Sequence, residues 1–297
     1  MRWLKTREKR REKRAVSSFR FSFLVPLFSL LGAGAAEQVL VIEQEYNIIE
    51  QGKEGVQAKD VRQKLYIHKD VICIDEYGGK EGKLTESVIL DMKNKKIINL
   101  YHQDKNKVTE DFDARRKRIE RRRKNAEEDL AAQPPGPQRD RLDKLYRALL
   151  DDKRRFALAP DPGKPKTILG LECNPVKVIA EGEEGYVPLE SYLHPELELP
   201  HENADVLFLL QIIGEKMAGF LHKHKDLFKR VPMELHLDLA AGGKLDTKVL
   251  SVTKAEENAL DLGARGDLGS PFAIPPDYEE RQRRVPVKLE KKEEKPD

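Results

Sequence analysis

The first 36 residues constrain this chain most, because their pattern takes them out of the fold. A basic head, Arg2 to Arg20, runs into the apolar stretch Phe21-Ser-Phe-Leu-Val-Pro-Leu-Phe-Ser-Leu-Leu31. The small residues Gly32-Ala-Gly-Ala-Ala36 follow, and then the polar Glu37. Charged, apolar and small, in that order, is the pattern of a secretory signal, with cleavage expected after Ala35 or Ala36. The apolar run of about 11 residues falls short of the roughly 20 that a membrane-spanning helix needs. The product is expected to be periplasmic or secreted, with an uncleaved inner-membrane anchor as the alternative. No Cys follows the apolar run to carry a bacterial lipid anchor.

Removing the segment changes the charge. The whole chain is formally +3, but residues 1–36 carry nine Lys and Arg against two Glu. What remains has 46 basic and 50 acidic residues, about −4. Overall basicity is therefore no argument for nucleic-acid binding, and no nucleic-acid partner is expected. The remaining length of about 260 residues suits one elaborated domain or two small ones. Two cysteines are left, Cys73 and Cys173. An oxidising compartment permits a disulfide between them, and two buried thiols are the plainer alternative.

From Gln38 to Glu110 the texture is that of short antiparallel strands. Val61, Gln63, Leu65 and Ile67 alternate onto one face, Val71 to Asp75 is a short apolar run, and Ser87–Met92 and Lys96–Tyr101 flank a Lys93-Asn94-Lys95 turn. The stretch 109–156 is different: rich in Arg, Lys, Glu, Ala and Leu, and broken at Pro134-Pro-Gly-Pro137. It predicts a charged helical hairpin whose second helix, through Leu142, Leu145, Tyr146, Leu149 and Leu150, rests on the body while the first is more exposed. Strand texture returns at Thr167–Ile179 and Tyr186–Tyr192, followed by a Pro-rich connection from His194 to Glu202. Asn203–Phe228 is expected as one helix, apolar nearly all round in its first half. Met233, Leu235, Leu237 and Leu239 alternate strictly in the strand that follows. The ordered part is expected to end near Tyr278, with residues 279–297 a charged disordered tail.

Four segments, taken in order, resemble a secreted bacterial family, domain of unknown function 4412, related to the LolA/LppX-like lipoprotein carriers. They are the Lys64–Asp70 and Val88–Asp91 strands with their Lys-rich hairpin, and the charged helical insertion with its Pro-Pro break. Thr167-Ile-Leu-Gly-Leu-Glu-Cys173 with Tyr186–Tyr192 is the third, and the closing Phe272-Ala-Ile-Pro-Pro-Asp-Tyr278 is the fourth. The resemblance implies an α+β fold: a curved antiparallel half-barrel sheet, LolA-like, with helices over its concave face and the charged hairpin inserted at 109–156. It also implies that the single domain at 37–278 holds a lipid or lipoprotein acyl chain in that concavity.

The residues can be read beside that implication. Leu65, Ile67, Leu235, Leu237 and Leu239 are the candidates to line a hydrophobic cavity, although the apolar Asn203–Phe228 helix could fill it instead. Arg115 to Lys124 holds eight basic residues in ten. From it, Arg115, Arg116, Arg118 and Arg122 are candidates to contact an anionic membrane surface or an envelope protein. No aromatic residue interleaves them, so base stacking is unsupported. His222 and His224, two apart on a helix, point away from each other and make no metal pair. There is no Gly-rich phosphate loop and no G-x-S-x-G elbow, so neither an enzyme nor a cofactor is expected. Two functions are carried forward. One is an exported carrier or binder of a hydrophobic ligand; the other is a non-enzymatic envelope interaction or sensor module without a ligand.

Overall fold

A computed structural model of the chain describes residues 38–52, 55–78, 82–146, 155–183, 185–238, 243–262, 265 and 268–281. The signal segment with Ala35 and Ala36, Leu239, and the tail beyond Arg281 lie outside the described residues, as do Leu149 and Leu150. No helix among the described residues is long and apolar enough to cross a membrane.

Thirteen strands form one large curved sheet that does not close. Strands β1 (Gln38–Gly52), β2 (Gly55–Ile67), β3 (Val71–Gly78), β4 (Lys83–Asp91), β5 (Lys96–Tyr101) and β6 (Asn106–Asp111) make an antiparallel meander. The second half holds β7 (Phe156–Leu158), β8 (Lys166–Ile168), β9 (Leu171–Ala180), β10 (Leu189–Glu198), β11 (Arg230–Asp238) and β12 (Lys244–Glu256). The halves join where β1 pairs with β12, so the order runs β13 (Glu279–Glu280)-β6-β5-β4-β3-β2-β1-β12-β11-β10-β9-β7, with β8 beside β9. Strand β13 (Glu279–Glu280) pairs parallel with the edge strand β6. Order thus continues a little past Tyr278, because a sheet edge takes up the first residues expected to be tail.

Alternation along the strands builds two separate cores. Leu40, Ile42, Leu65, Ile67, Ile72, Ile74, Val88 and Leu90 face one side, where they pack with Leu235, Leu237, Leu245 and Val249. Val39, Val41, Tyr66, Cys73, Ile89 and Leu100 face the other. Each fully buried Leu or Ile contributes about 1.5–3 kcal/mol, so a sheet buried on both faces needs a cover on both.

The first face is covered by helices α3 (Asn203–Leu209), α4 (Glu215–Lys223) and α5 (Lys225–Phe228). Three short helices therefore replace the single helix expected over Asn203–Phe228. The reason lies in the run Val206–Ile213. A straight helix on a sheet buries one stripe, whereas this run is apolar all round. Breaking at Gln211, whose φ is 63°, and at the extended Gly214 lets Val206, Leu207, Leu209, Leu210, Ile212 and Ile213 all be buried.

The second face is covered by a C-terminal strap, the described residues between 257 and 281, through Leu260, Phe272, Ile274 and Tyr278. Arg265 pins it: its Nε lies 2.9 Å from both carboxylate oxygens of Asp75, and both side chains are fully buried. Further along, where no strap lies, the same face of β1, β2, β11 and β12 is a ladder of alternating charge, Arg62·Glu45·Lys248·Glu234 in cross-strand register. Opposite charges facing each other across strands keep such a surface solvated and paired.

The charged hairpin departs from expectation. Helix α1 (Phe112–Ala131) is built of strong helix formers, and the chain turns at Ala132 and Gln133 before Pro134. It docks on the body, burying Phe112, Arg115, Ile119 and Ala126, while the side chains of Leu145 and Tyr146 lie outside the described residues. Helix α2 (Pro137–Tyr146) follows it. The Pro-rich connection also differs, since β10 begins at Leu189 and runs on to Glu198. A shift of register between Leu193 and Glu198 takes Pro195 out of the ladder with β11.

Candidate functional site

The concave wall is made by side chains that the period of two aims inward. Leu65, Ile67, Leu235 and Leu237 are 1–3% exposed and belong to one continuous core with Leu207, Leu209, Ile212, Ile213 and Met217 of the cover. The four described cavity-lining candidates are thus brought together on one face, and Leu239 lies outside the described residues. In this closed arrangement they touch the cover and not a void: the concavity is filled by the chain's own 203–228 segment.

A polar band crosses that apolar wall. Gln44, Gln63, Glu76 and Thr247 are all buried, on the same faces of β1, β2, β3 and β12 as the apolar residues beside them. Gln44 Nε2 donates to Gln63 Oε1 at 2.8 Å, and Tyr46 Oη donates to Glu76 Oε2 at 3.0 Å. Gln44 Oε1 and Thr247 Oγ1 are buried without a hydrogen-bond partner.

Of the arginines proposed for an anionic surface, Arg115 is buried, Arg118 and Arg122 are half-buried and Arg116 is exposed, and each has a partner in the protein. Arg115, buried, donates from Nε to the Leu209 carbonyl at 2.7 Å and pairs with Glu110 at 3.3 Å. Arg118 pairs with the same Glu110 at 2.8 Å. Arg116 pairs with Asp205 at 3.0 Å and lies over the Phe208 ring. Arg122 donates to Gln211, the residue at the break of the cover. A guanidinium reaches carbonyl and carboxylate oxygens that no alkyl stripe could. That is why apolar periodicity alone underrates the docking of α1. The exposed stripe that α1 leaves outside is Lys117, Arg121 and Lys124.

At one end the cover is indented by a cleft of about 210 Å³ between residues 199–204 and 221–229. Its floor, Leu199, Ala204, Leu221 and Phe228, belongs to the concave core. Across it, His222 Nδ1 meets Glu202 at 2.6 Å, and Asn203 donates to the Phe228 carbonyl. His201 Nε2 donates to the His68 carbonyl at 3.1 Å, and burial holds its pKa below the usual histidine value.

On the opposite face, a chain of hydrogen bonds ties the strap to the sheet. Ser87 Oγ donates to Asp75 at 2.6 Å. It can therefore only accept from His102 Nε2, also 2.6 Å away. In the neutral imidazole this leaves Nδ1 to accept from Tyr278 Oη at 2.6 Å. Burial, with Arg265 nearby, lowers the His102 pKa to about 4. The serine is thus spent on a carboxylate and the arrangement is structural. Sequence reading missed this relay, since its members are spread over β3, β4, the turn after β5 and the strap.

Cys73 lies in this second core and Cys173 in the concave one, both as free buried thiols. The disulfide admitted from the sequence does not form, because the sheet stands between them. Burial raises both thiol pKa values, which makes them poor nucleophiles. Among the described residues, no group of three or more His, Cys, Asp or Glu is arranged to hold a metal ion.

No family model and no curated protein matches the chain, so the likeness to a domain-of-unknown-function family rests on its motifs alone. Among solved structures it is similar to an uncharacterized conserved protein from Thermus thermophilus, at 8% identity over 81% of this chain and 91% of that one, with a TM-score of 0.33. It is similar to PNGF-II at 12% identity over 83% of this chain and 31% of that one, with a TM-score of 0.32. A domain from Vibrio parahaemolyticus named for outer membrane lipoprotein sorting is similar at 8% identity over 75% of this chain and 87% of that one, with a TM-score of 0.28.

Proposed function

We propose that this is an exported, non-enzymatic binding protein that takes a single-chain hydrophobic ligand of the acyl class against the concave face of its open sheet. The observation that carries the reading is the cover. A broad apolar wall is closed by three short helices, broken at Gln211–Gly214 and held largely by side-chain contacts from α1 rather than by strand pairing. A ligand chain displacing the cover would exchange one set of apolar contacts for another, at about 0.8 kcal/mol per buried methylene. The cleft at 199–229, whose floor is part of that core, gives the chain a place to enter.

A second reading is an envelope interaction module without a ligand. It is favoured by the filling of the concavity, with the wall residues 1–3% exposed. Native mass spectrometry of gently purified protein, with melting curves in added fatty acid, separates the two. The binding reading expects a co-purifying mass in the acyl range and a rise in melting temperature. Bare protein with an unmoved melting curve would leave the interaction module, and a periplasmic pull-down dependent on residues 110–155 would then support it.

A further inference from the structure

The concave wall is not uniformly apolar, and the polar band across it is unfinished. Gln44 and Thr247 are 0% and 3% exposed. Gln44 stands opposite Gln63 and Val249, and Thr247 stands opposite Tyr46 and Leu235. The two are diagonal neighbours on one face of β1 and β12, which puts them about 7–8 Å apart. The register with β12 shifts at this point, between Glu43 and Gln44, where Leu250 of β12 stands without a partner on β1. Gln44 Nε2 is engaged by Gln63, while Gln44 Oε1 and Thr247 Oγ1 have no hydrogen-bond partner. Buried polar groups are almost always paired, so two orphans side by side on a wall call for an explanation.

We propose that these two side chains read a hydroxyl on the bound chain, so that the ligand is a hydroxylated acyl chain rather than a plain one. This rests on the binding reading given above and narrows its ligand. The chemistry fits from both ends. A hydroxyl donates once and accepts, so it can give its hydrogen to Gln44 Oε1 and take that of the Thr247 hydroxyl. A ketone would serve only the threonine, and a methylene neither. If the Gln44–Gln63 amides are both reversed, the free Gln44 atom becomes a donor, and the same hydroxyl accepts from it while donating to Thr247. Sites that bury hydrogen-bonding groups reject ligands lacking the partner, because the groups are then left unpaired in an apolar surround. In the closed protein, the orphans lie under the cover with Gln63, Glu76 and Tyr46 beside them, so the hydroxyl would be met only after the chain has entered.

The test compares a saturated fatty acid with its monohydroxy derivatives of the same length, the hydroxyl placed at a series of positions, by isothermal titration against the full chain after signal removal. At least one hydroxy acid is expected to bind tenfold or more tightly than the plain acid. The near-isosteric pair Gln44→Leu and Thr247→Val should abolish that preference. Equal affinities across the series in the unaltered protein would overturn the proposal, as would a hydroxyl preference that survives both substitutions. Should neither acid class bind the unaltered protein, the broader hydrophobic-ligand reading falls, and this one with it. Binding of both classes without distinction removes this inference alone.

Discussion

At the scale of single residues, one backbone choice runs against the local rules. The β8–β9 hairpin turns on Leu169 and Gly170, with φ of 50° and 78°. Two successive positive φ values make a type I′ turn, which favours Asn-Gly because a branched side chain is strained in the left-handed region. Leu169 is also half-exposed, so little packing compensates. Leu169→Asn is expected to raise stability by roughly 0.5–1 kcal/mol, read as a higher urea midpoint at constant slope; a lower midpoint would show that packing of the leucine outweighs its backbone strain. His102 carries a second residue-scale expectation. It is neutral in the fold, with a pKa of about 4 against its usual 6.5. The unfolded chain therefore takes up this proton first as the pH falls. The stability that depends on neutral His102 is complete above about pH 6.5 and is lost progressively down to about pH 4. His201 and His194, also lowered by burial, act in the same direction. Replacing His102 by Gln should flatten the fall in melting temperature between pH 7 and 4, and an unchanged slope would place the titration elsewhere.

At the scale of elements, the basic helix α1 is a clamp on the cover, and its arginines should differ sharply in worth. Arg115 is buried against Glu110 and the Leu209 carbonyl. Its removal leaves the Leu209 carbonyl without its buried donor and takes one of two guanidinium partners from Glu110, which Arg118 still holds, at a cost of about 1–3 kcal/mol. Arg116 meets Asp205 with both side chains 46% exposed, and such pairs contribute roughly 0–1 kcal/mol. Urea unfolding of Arg115→Ala and Arg116→Ala should therefore separate clearly, with the Arg116 effect further reduced in high salt; equal losses would contradict the clamp. Strand alternation was legible in the sequence because burial on a sheet writes a period of two: Val61–Ile67 and Met233–Leu237 fall where that period puts them. The docking of α1 was not legible. An arginine that binds a carbonyl and one that meets solvent look the same in a charge run. Nor could the break in the cover be read, since an apolar run carries no record of whether it is buried as one straight helix or folded into several pieces.

At the scale of the molecule, the sheet is a two-faced wall with unequal covers. The strap over the second face is fastened by a fully buried Arg265–Asp75 pair and by the Tyr278–His102–Ser87 relay. The cover over the concave face is broken, partly clamped from outside, and indented by a cleft whose floor is core. If one face opens, this asymmetry makes it the concave one. The sequence pointed to the wall through Leu65, Ile67, Leu235 and Leu237, but not to the band of Gln44, Gln63, Glu76 and Thr247. Four residues on four strands become neighbours only through the register of the sheet. The most direct test of the central claim is photo-crosslinking with an acyl chain bearing a diazirine near its end, followed by peptide mapping. Adducts are expected on β2 and β11, around Leu65–Ile67 and Leu235–Leu237, and should be competed away by unlabelled chain. Adducts confined to the strap, to the outer face of α1, or spread without competition would contradict binding at the concave wall.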